Sequence, residues 1–410
     1  MSPSWLRCGA AAIVGTLSAS AMPANPVFGQ CGYEYTIMPF PDGYQSLSVA
    51  DFNDSETVVG HRRLQGGSLL QSAYRWSARD GYVTLPPPPG GAQAWYATRV
   101  SSDGHIVGKA DISALPQEFL QLVLWDPNDA PTLAPTPIPV VSFDPFVITN
   151  SGTASGTTSF GPPGTTPKPF LWSNGAFVEI PSGFDSAFGG FRCVNDLGWF
   201  GGGIFRPVGR NEFVYHAIMW DGELNTVELP ALPQQFIVTE LVQIGNDLRG
   251  CVKATEIRGP EGALKRTFLW DGSVFTLVGP NTGSAWTRGN DRNEVGQIVG
   301  ASGDSAVPQS SYPIVWQDGT MTDLRSLATL PATVKLGEAL RVLEDGRILC
   351  LGTLVAGNKT VGVILRPNAV AEDINIDCHV DAKDLAIVLG AWGPVLPTTI
   401  RRADVDGDGE

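Results

Sequence analysis

A motif of the form polar-x-x-Gly-x-apolar-x-Gly returns seven times along this chain, closing at Gly60, Gly108, Gly156, Gly202, Gly250, Gly300 and Cys350. The successive spacings are 48, 48, 46, 48, 50 and 50 residues. The clearest copy is Asn293-Glu294-Val295-Gly296-Gln297-Ile298-Val299-Gly300. Four positions before the closing residues stand Glu56, Gly104, Gly152, Gly198, Asn246, Gly296 and Gly346. Gly and Asn are the types that tolerate a left-handed backbone. Each copy therefore reads as a tight turn feeding a short buried strand.

A second signal runs in phase with the first. Trp76, Trp125, Trp172, Trp220, Trp270 and Trp316 each end an apolar run such as Thr267-Phe268-Leu269-Trp270. The seventh copy, Val363-Ile364-Leu365-Arg366, places Leu365 in that slot. The dipeptides Asn174-Gly175, Asp221-Gly222, Asp271-Gly272 and Asp318-Gly319 follow the slot and read as two-residue hairpins leading to another strand, such as Ser273-Val274-Phe275-Thr276-Leu277. Each unit is then a small antiparallel sheet, and the tryptophans read as packing between sheets.

Such a sheet cannot bury both faces alone but can do so between radial neighbours, so the period points to a β-propeller, with a linear β-solenoid as the competing arrangement. The chain ends favour closure. The seventh copy stops at Pro367 without a last strand, and an unpaired Tyr35-Thr36-Ile37-Met38-Pro39 precedes the first turn and aligns with Tyr82-Val83-Thr84-Leu85-Pro86. The sequence thus predicts an all-β, seven-bladed propeller over residues 31–368, closed by its N-terminal strand. Among 410 residues, 48 Gly and 32 Pro with only 17% charged residues suit many turns and short strands.

Residues 1–30 begin with Arg7, pass through apolar Cys8–Gly15 and reach small residues at Ser18–Ala21, the layout of a secretory signal peptide. No later segment approaches the roughly 18 apolar residues that cross a membrane. A secreted, soluble, monomeric protein is expected. The net charge of −14, with no run of Lys and Arg to offset it, argues against nucleic acid. Cys31, Cys193, Cys251, Cys350 and Cys378 remain after the signal, an odd number without metal-type spacing; export permits disulfides but the sequence assigns no pairing, and some or all read as buried small apolar residues. The four histidines (His61, His105, His216, His379) form no zinc motif, and no nucleophile elbow or phosphate loop is present.

Beyond the linker Pro367–Glu372 the composition changes. Asp373-Ile374-Asn375-Ile376-Asp377-Cys378-His379-Val380-Asp381-Ala382-Lys383-Asp384 has side-chain oxygens at positions 1, 3, 5, 9 and 12 of a twelve-residue loop: Asp373, Asn375, Asp377, Asp381 and Asp384. The His379 carbonyl stands at position 7. This is the EF-hand pattern, in which a hard cation such as Ca2+ collects six or seven oxygens. Leu385-Ala386-Ile387-Val388-Leu389 fits a helix leaving the loop, interrupted at Gly390 and Gly393. Residues 369–410 are read as a small helical calcium-binding module. A second loop begins at Asp404-Val405-Asp406-Gly407-Asp408-Gly409 and lacks ligands for its positions 9 and 12, so the sequence is expected to be a fragment or a truncated gene product.

The pairing of Asn-x-x-Gly-x-Ile-Val-Gly with a downstream Phe-Leu-Trp strand resembles the extracellular HAF-repeat family over about 340 residues, which implies export and a propeller-like fold and carries no established activity. The tail, with aspartate at position 12, a Leu-Gly-Ala-Trp-Gly helix end and a second loop start, resembles a type I dockerin. That resemblance implies calcium held by Asp373, Asn375, Asp377, Asp381, Asp384 and the His379 carbonyl, and docking to a cohesin-like extracellular partner. Cys378 departs from the glycine of position 6, and Ala382-Lys383 stand where cohesin-recognising dockerins often carry Ser-Thr.

The function expected is a non-catalytic binding or attachment protein with a calcium-dependent docking module. The alternative is a polysaccharide-binding protein or polysaccharide-degrading hydrolase. Two acids in different blades can meet without a sequence signature, and a cluster of Asp and Glu at the channel mouth would favour the enzyme.

Overall fold

The computed structural model describes residues 32–65, 71–112, 120–135, 140–160, 168–178, 180, 189–209, 212–222, 225–232, 236–257, 263–280, 285–307, 310–369, 372–376 and 379–390. The expected signal peptide, Cys31, Asp377, Cys378 and the second loop lie outside the described residues. Seven four-stranded antiparallel sheets are arranged as a β-propeller. Blade 1 is β2 (Tyr44–Phe52), β3 (Val58–Leu64), β4 (Gln71–Ser77) and β5 (Gly81–Thr84). Blades 2 to 6 repeat this order over 94–133, 140–178, 189–228, 236–278 and 285–323. Blade 7 takes three strands from 334–367 and its fourth from β1 (Tyr33–Ile37). The first strand of each blade touches that of the next, and Val334–Val342 of blade 7 touches β2 of blade 1, so the ring is closed.

Closure follows the expected alignment. Tyr35 stands opposite Leu365, as Tyr82 stands opposite Trp76, and the Met38 N–H donates to Gly362 as the Leu85 N–H donates to Ala73. Charges stitch the seam. Glu56 of blade 1 pairs with Arg347 at 3.2 Å and with Arg366, both in blade 7. Arg341 of blade 7 reaches Asp51 of blade 1 at 2.8 Å and Asp291 of blade 6 at 3.2 Å.

The tryptophan slot is occupied as expected. All six side chains are buried, Leu365 is buried in the seventh, and each faces the residue that opens the second strand, as Trp316 faces Ile298 and Leu365 faces Ile348. The closing glycines have a steric reason: a Cβ on Gly300 would collide with the carbonyl oxygen of Arg288 across the ladder.

Two local expectations are corrected. In the fifth copy the turn lies two residues later than the motif suggests. Gly245 N–H donates to Arg249, Leu248 rather than Asn246 has positive φ (+58°), and Val252 rather than Gly250 occupies the closing slot. Asn246 mimics the pattern, but backbone hydrogen bonding sets the register. Of the four dipeptides, Asn174-Gly175 and Asp318-Gly319 form two-residue hairpins with positive φ at both residues. Asp221 and Asp271 instead open longer loops, because their carboxylates accept the loop's own N–H groups, from Asn225 in one and from Ser273 and Val274 in the other.

Cys193, Cys251 and Cys350 are free and buried. Burial raises all three thiols, Cys251 to about 12, so they behave as apolar filling.

Candidate functional site

The turns between first and second strands gather at one end of the channel. Three of them begin with an asparagine that both shapes its own turn and ties to the next blade. The Asn53 side-chain oxygen accepts from Ser55 and Thr57 while its Nδ2 donates to the Ser101 carbonyl of blade 2 at 2.9 Å. Asn195 does the same toward Gly245, and Asn293 toward Leu343. The next residue reaches back the other way. Asn246 accepts from the Asp196 N–H at 3.0 Å, Glu294 from the Asn246 N–H at 2.6 Å and Glu344 from the Glu294 N–H at 2.8 Å.

This polar collar surrounds a cavity of about 520 Å3 at the channel mouth, to which Asp54, Asp196, Asp291, Glu294 and Glu344 contribute. Burial, with Glu294 and Asp291 nearby, pushes the Glu344 carboxyl up to about 8. Glu294 is raised for the same reason, and burial also raises Asp291 although Arg341 opposes it. Acids do cluster at the mouth, but Glu294 and Glu344 accept backbone N–H groups that brace neighbouring blades.

The C-terminal loop sits on this same face. Asp373, Asn375 and Asp384 are 1%, 6% and 3% exposed, a degree of burial that carboxylates reach only when their oxygens are engaged. Asp384 braces both halves of the loop, accepting from the Asn375 N–H at 3.2 Å and the Asp381 N–H at 2.8 Å. Burial pushes its carboxyl up, but these bonds and those from Ile374 and its own N–H outweigh that and hold it below its ordinary value. Asp381 is exposed and accepts from the Lys383 N–H at 2.7 Å, capping helix α1 (Ala382–Gly390). His379 is exposed, and Asp377 lies outside the described residues. Positions 1, 3 and 12 are thus buried in one loop, with position 12 bonded to the backbone of position 3, and position 9 stands at the helix start. Among the described residues no three Asp, Glu, His or Cys side chains converge as a metal group. The donors are oxygens throughout, one of them the Asn375 amide, which suits a hard cation.

The loop is fastened to the ring. Gln317 Nε2 donates to the Asn375 carbonyl at 2.5 Å, Gln297 Nε2 donates to Gln317 Oε1 at 3.2 Å, and Asn293 Nδ2 donates to Gln297 Oε1 at 2.9 Å. Ile374 and Ile376 are buried. Ile376 lies where a Cβ on Gly346 would be, 2.7 Å from its Cδ1, so the turn glycine of blade 7 leaves room for it. Sequence reasoning missed this fastening. Its signal is a break in the repeat: Gln317 follows Trp316 where the other tryptophans are followed by Ser77, Asp126, Ser173, Asp221 and Asp271.

The remaining histidines stand apart. His61 packs edge-on against Tyr96, with burial and Lys109 lowering it to about 4, and His216 pairs with Glu228 at 2.8 Å. Among the described residues no helix is long and apolar enough to cross a membrane.

No family model matches the chain. No curated protein matches it either. Among solved structures it is similar to the β-propeller domain of the Trilobed protease from Pyrococcus furiosus, at 9% identity and TM-score 0.50, over 77% of this chain and 94% of that one. That domain has an open velcro topology, whereas here β1 closes blade 7. Acylaminoacyl peptidase from Pyrococcus horikoshii matches at 11% identity and TM-score 0.45, over 77% of this chain, which spans about half (51%) of the peptidase. A protein of unknown function from Dyadobacter fermentans matches at 12% and 0.40, over 83% of this chain and 100% of that one. At these identities the likeness is one of fold: the propeller architecture is shared with the propeller domain of a protease.

Proposed function

We propose that this chain is a secreted, non-catalytic binding or attachment protein, a propeller that carries a Ca2+ loop on its channel-mouth face for docking an extracellular partner. The observation that supports it most is the buried set Asp373, Asn375 and Asp384, cross-braced and fixed to blades 6 and 7 through Gln317 and Ile376. Asp373, Asn375, Asp377, Asp381, Asp384 and the His379 carbonyl would hold the ion. The cation would supply the charge that lets three acidic loop segments approach one another. Calorimetric titration of the protein with calcium tests the reading. One saturable site, lost in Asp373→Ala with the fold intact by circular dichroism, is expected. No site, or one indifferent to Asp373, overturns it.

The acidic mouth favours a second reading, polysaccharide binding or cleavage. Asn150 and Asn246 line the cavity beside the carboxyls and carry amide groups of the kind that pair with sugar hydroxyls. A polysaccharide panel separates the two: retention without reducing-end release is binding, and release abolished by Glu344→Gln is hydrolysis.

A further inference from the structure

We propose that a pocket between blades 5 and 6, at the strand ends away from the collar, binds a doubly charged tetrahedral oxyanion, a sulfate or phosphate group. Its volume is about 180 Å3, and it is lined by Lys253, Lys265, Arg266 and Arg288 with Glu240 as the one acid. Four of the 27 cationic side chains of a chain with net charge −14 share this pocket. Three of the surrounding charges are already matched. Glu240 pairs with Arg192, Arg266 with Glu256 at 2.8 Å, and Arg288 with Glu338 at 2.5 Å.

Lys253 and Lys265 are left over. The Lys253 ammonium donates to Asn290 Oδ1 at 3.3 Å, and Lys265 donates to Thr255 Oγ1 at 3.1 Å. An ammonium has three donors, and neither lysine has a carboxylate partner among the described residues. Burial holds Lys253 below the usual lysine value, with Arg288 adding to this and Glu240 and Glu338 opposing it. The pocket therefore has two ammonium groups without a direct carboxylate partner on adjacent strands, since Lys265 lies directly opposite Thr255, two residues from Lys253. A dianion with several acceptor oxygens satisfies both at once, and the Arg288 guanidinium at the exposed rim adds a planar donor.

The test is calorimetric titration of the full chain with inorganic sulfate and with inorganic phosphate in low-salt buffer. One saturable site is expected, weakened about 10-fold or more by Lys265→Met, the loss of one charge-assisted hydrogen bond. Lys265 is exposed, so this variant leaves the core alone. Lys335→Met, which removes an exposed charge from blade 7, should bind as the parent does. Lys253→Met serves as a second variant, read with its fold checked by circular dichroism. Tighter binding of phosphate than sulfate assigns a phosphorylated ligand. Tighter binding of sulfate, with retention of dextran sulfate but not dextran, assigns a sulfated glycan. Absence of a saturable site for either ion, dextran sulfate binding alone, or equal weakening by Lys265→Met and Lys335→Met overturns the proposal.

Discussion

Around the ring the same contacts are made again and again: a buried tryptophan facing the start of the second strand, a left-handed turn residue, a side chain that ties one turn to the next. In the C-terminal loop each fastening contact occurs once, through Gln317 to the Asn375 carbonyl and through Ile376 over Gly346. Repetition spreads stability over seven copies, so one copy can drift, as Leu365 and Val252 have done. A single-copy contact has no such reserve. Residues that break the repeat, among them Gln317, Glu294 and Glu344, are therefore where this molecule's particular properties should be sought.

The contrast can be broken most forcefully in the ring. Trp125→Ala empties a fully buried slot and strands the Pro86 carbonyl that its indole N–H reaches at 2.9 Å, so urea unfolding should show a loss of about 3–5 kcal/mol. A loss below about 1 kcal/mol would mean that the slots are not what holds the blades together. Arg341→Met leaves Asp51 and Asp291, each 1% exposed, without their shared cation at the seam. The expected cost is on the order of 3 kcal/mol, with a steeper loss at high pH as Asp291, already raised by burial and now without the Arg341 charge that opposes it, ionises.

Smaller effects sharpen the other side of the comparison. Gln317→Ala removes about 1 kcal/mol of bracing and should weaken calcium binding roughly fivefold while leaving the unfolding of the calcium-free ring within about 1 kcal/mol of the parent. Unchanged affinity would detach the loop from the ring. The smallest effect is a slope. The raised Glu344 carboxyl keeps its proton in the folded chain while the unfolded one releases it near 4.5, so its contribution is fully present below that pH and is lost as pH rises toward about 8. Glu344→Gln should flatten stability against pH across that window, and an unaltered profile would assign the slope elsewhere.

The blades were legible in the sequence because a steric requirement repeats. A closing glycine such as Gly300 and a left-handed turn such as Gly296 leave the same mark in copy after copy, and the orphan strand at Tyr33–Ile37 was readable from its likeness to Gly81–Thr84. The fifth copy misled because Asn246 and Gly250 satisfy the pattern by composition while hydrogen bonds place the turn at Leu248. The spacing of side-chain oxygens at Asp373, Asn375 and Asp384 was equally plain, and all three are buried. Its attachment to the ring was not, since it depends on Gln317 and Gly346 meeting residues 58 and 30 positions later, Asn375 and Ile376, without any periodicity. The pocket at Lys253 and Lys265 was hidden for the same reason: its charges are recognised only once the partners of their neighbours are known.

Hydrogen exchange followed by mass spectrometry, with and without calcium, tests most directly whether the loop and the ring form one unit. Calcium is predicted to slow exchange in residues 373–384 and, through Gln317 and Gln297, in the turn at 293–297, while turns on the far side such as 149–153 stay unchanged. Protection confined to 373–384, or none at all, would contradict it.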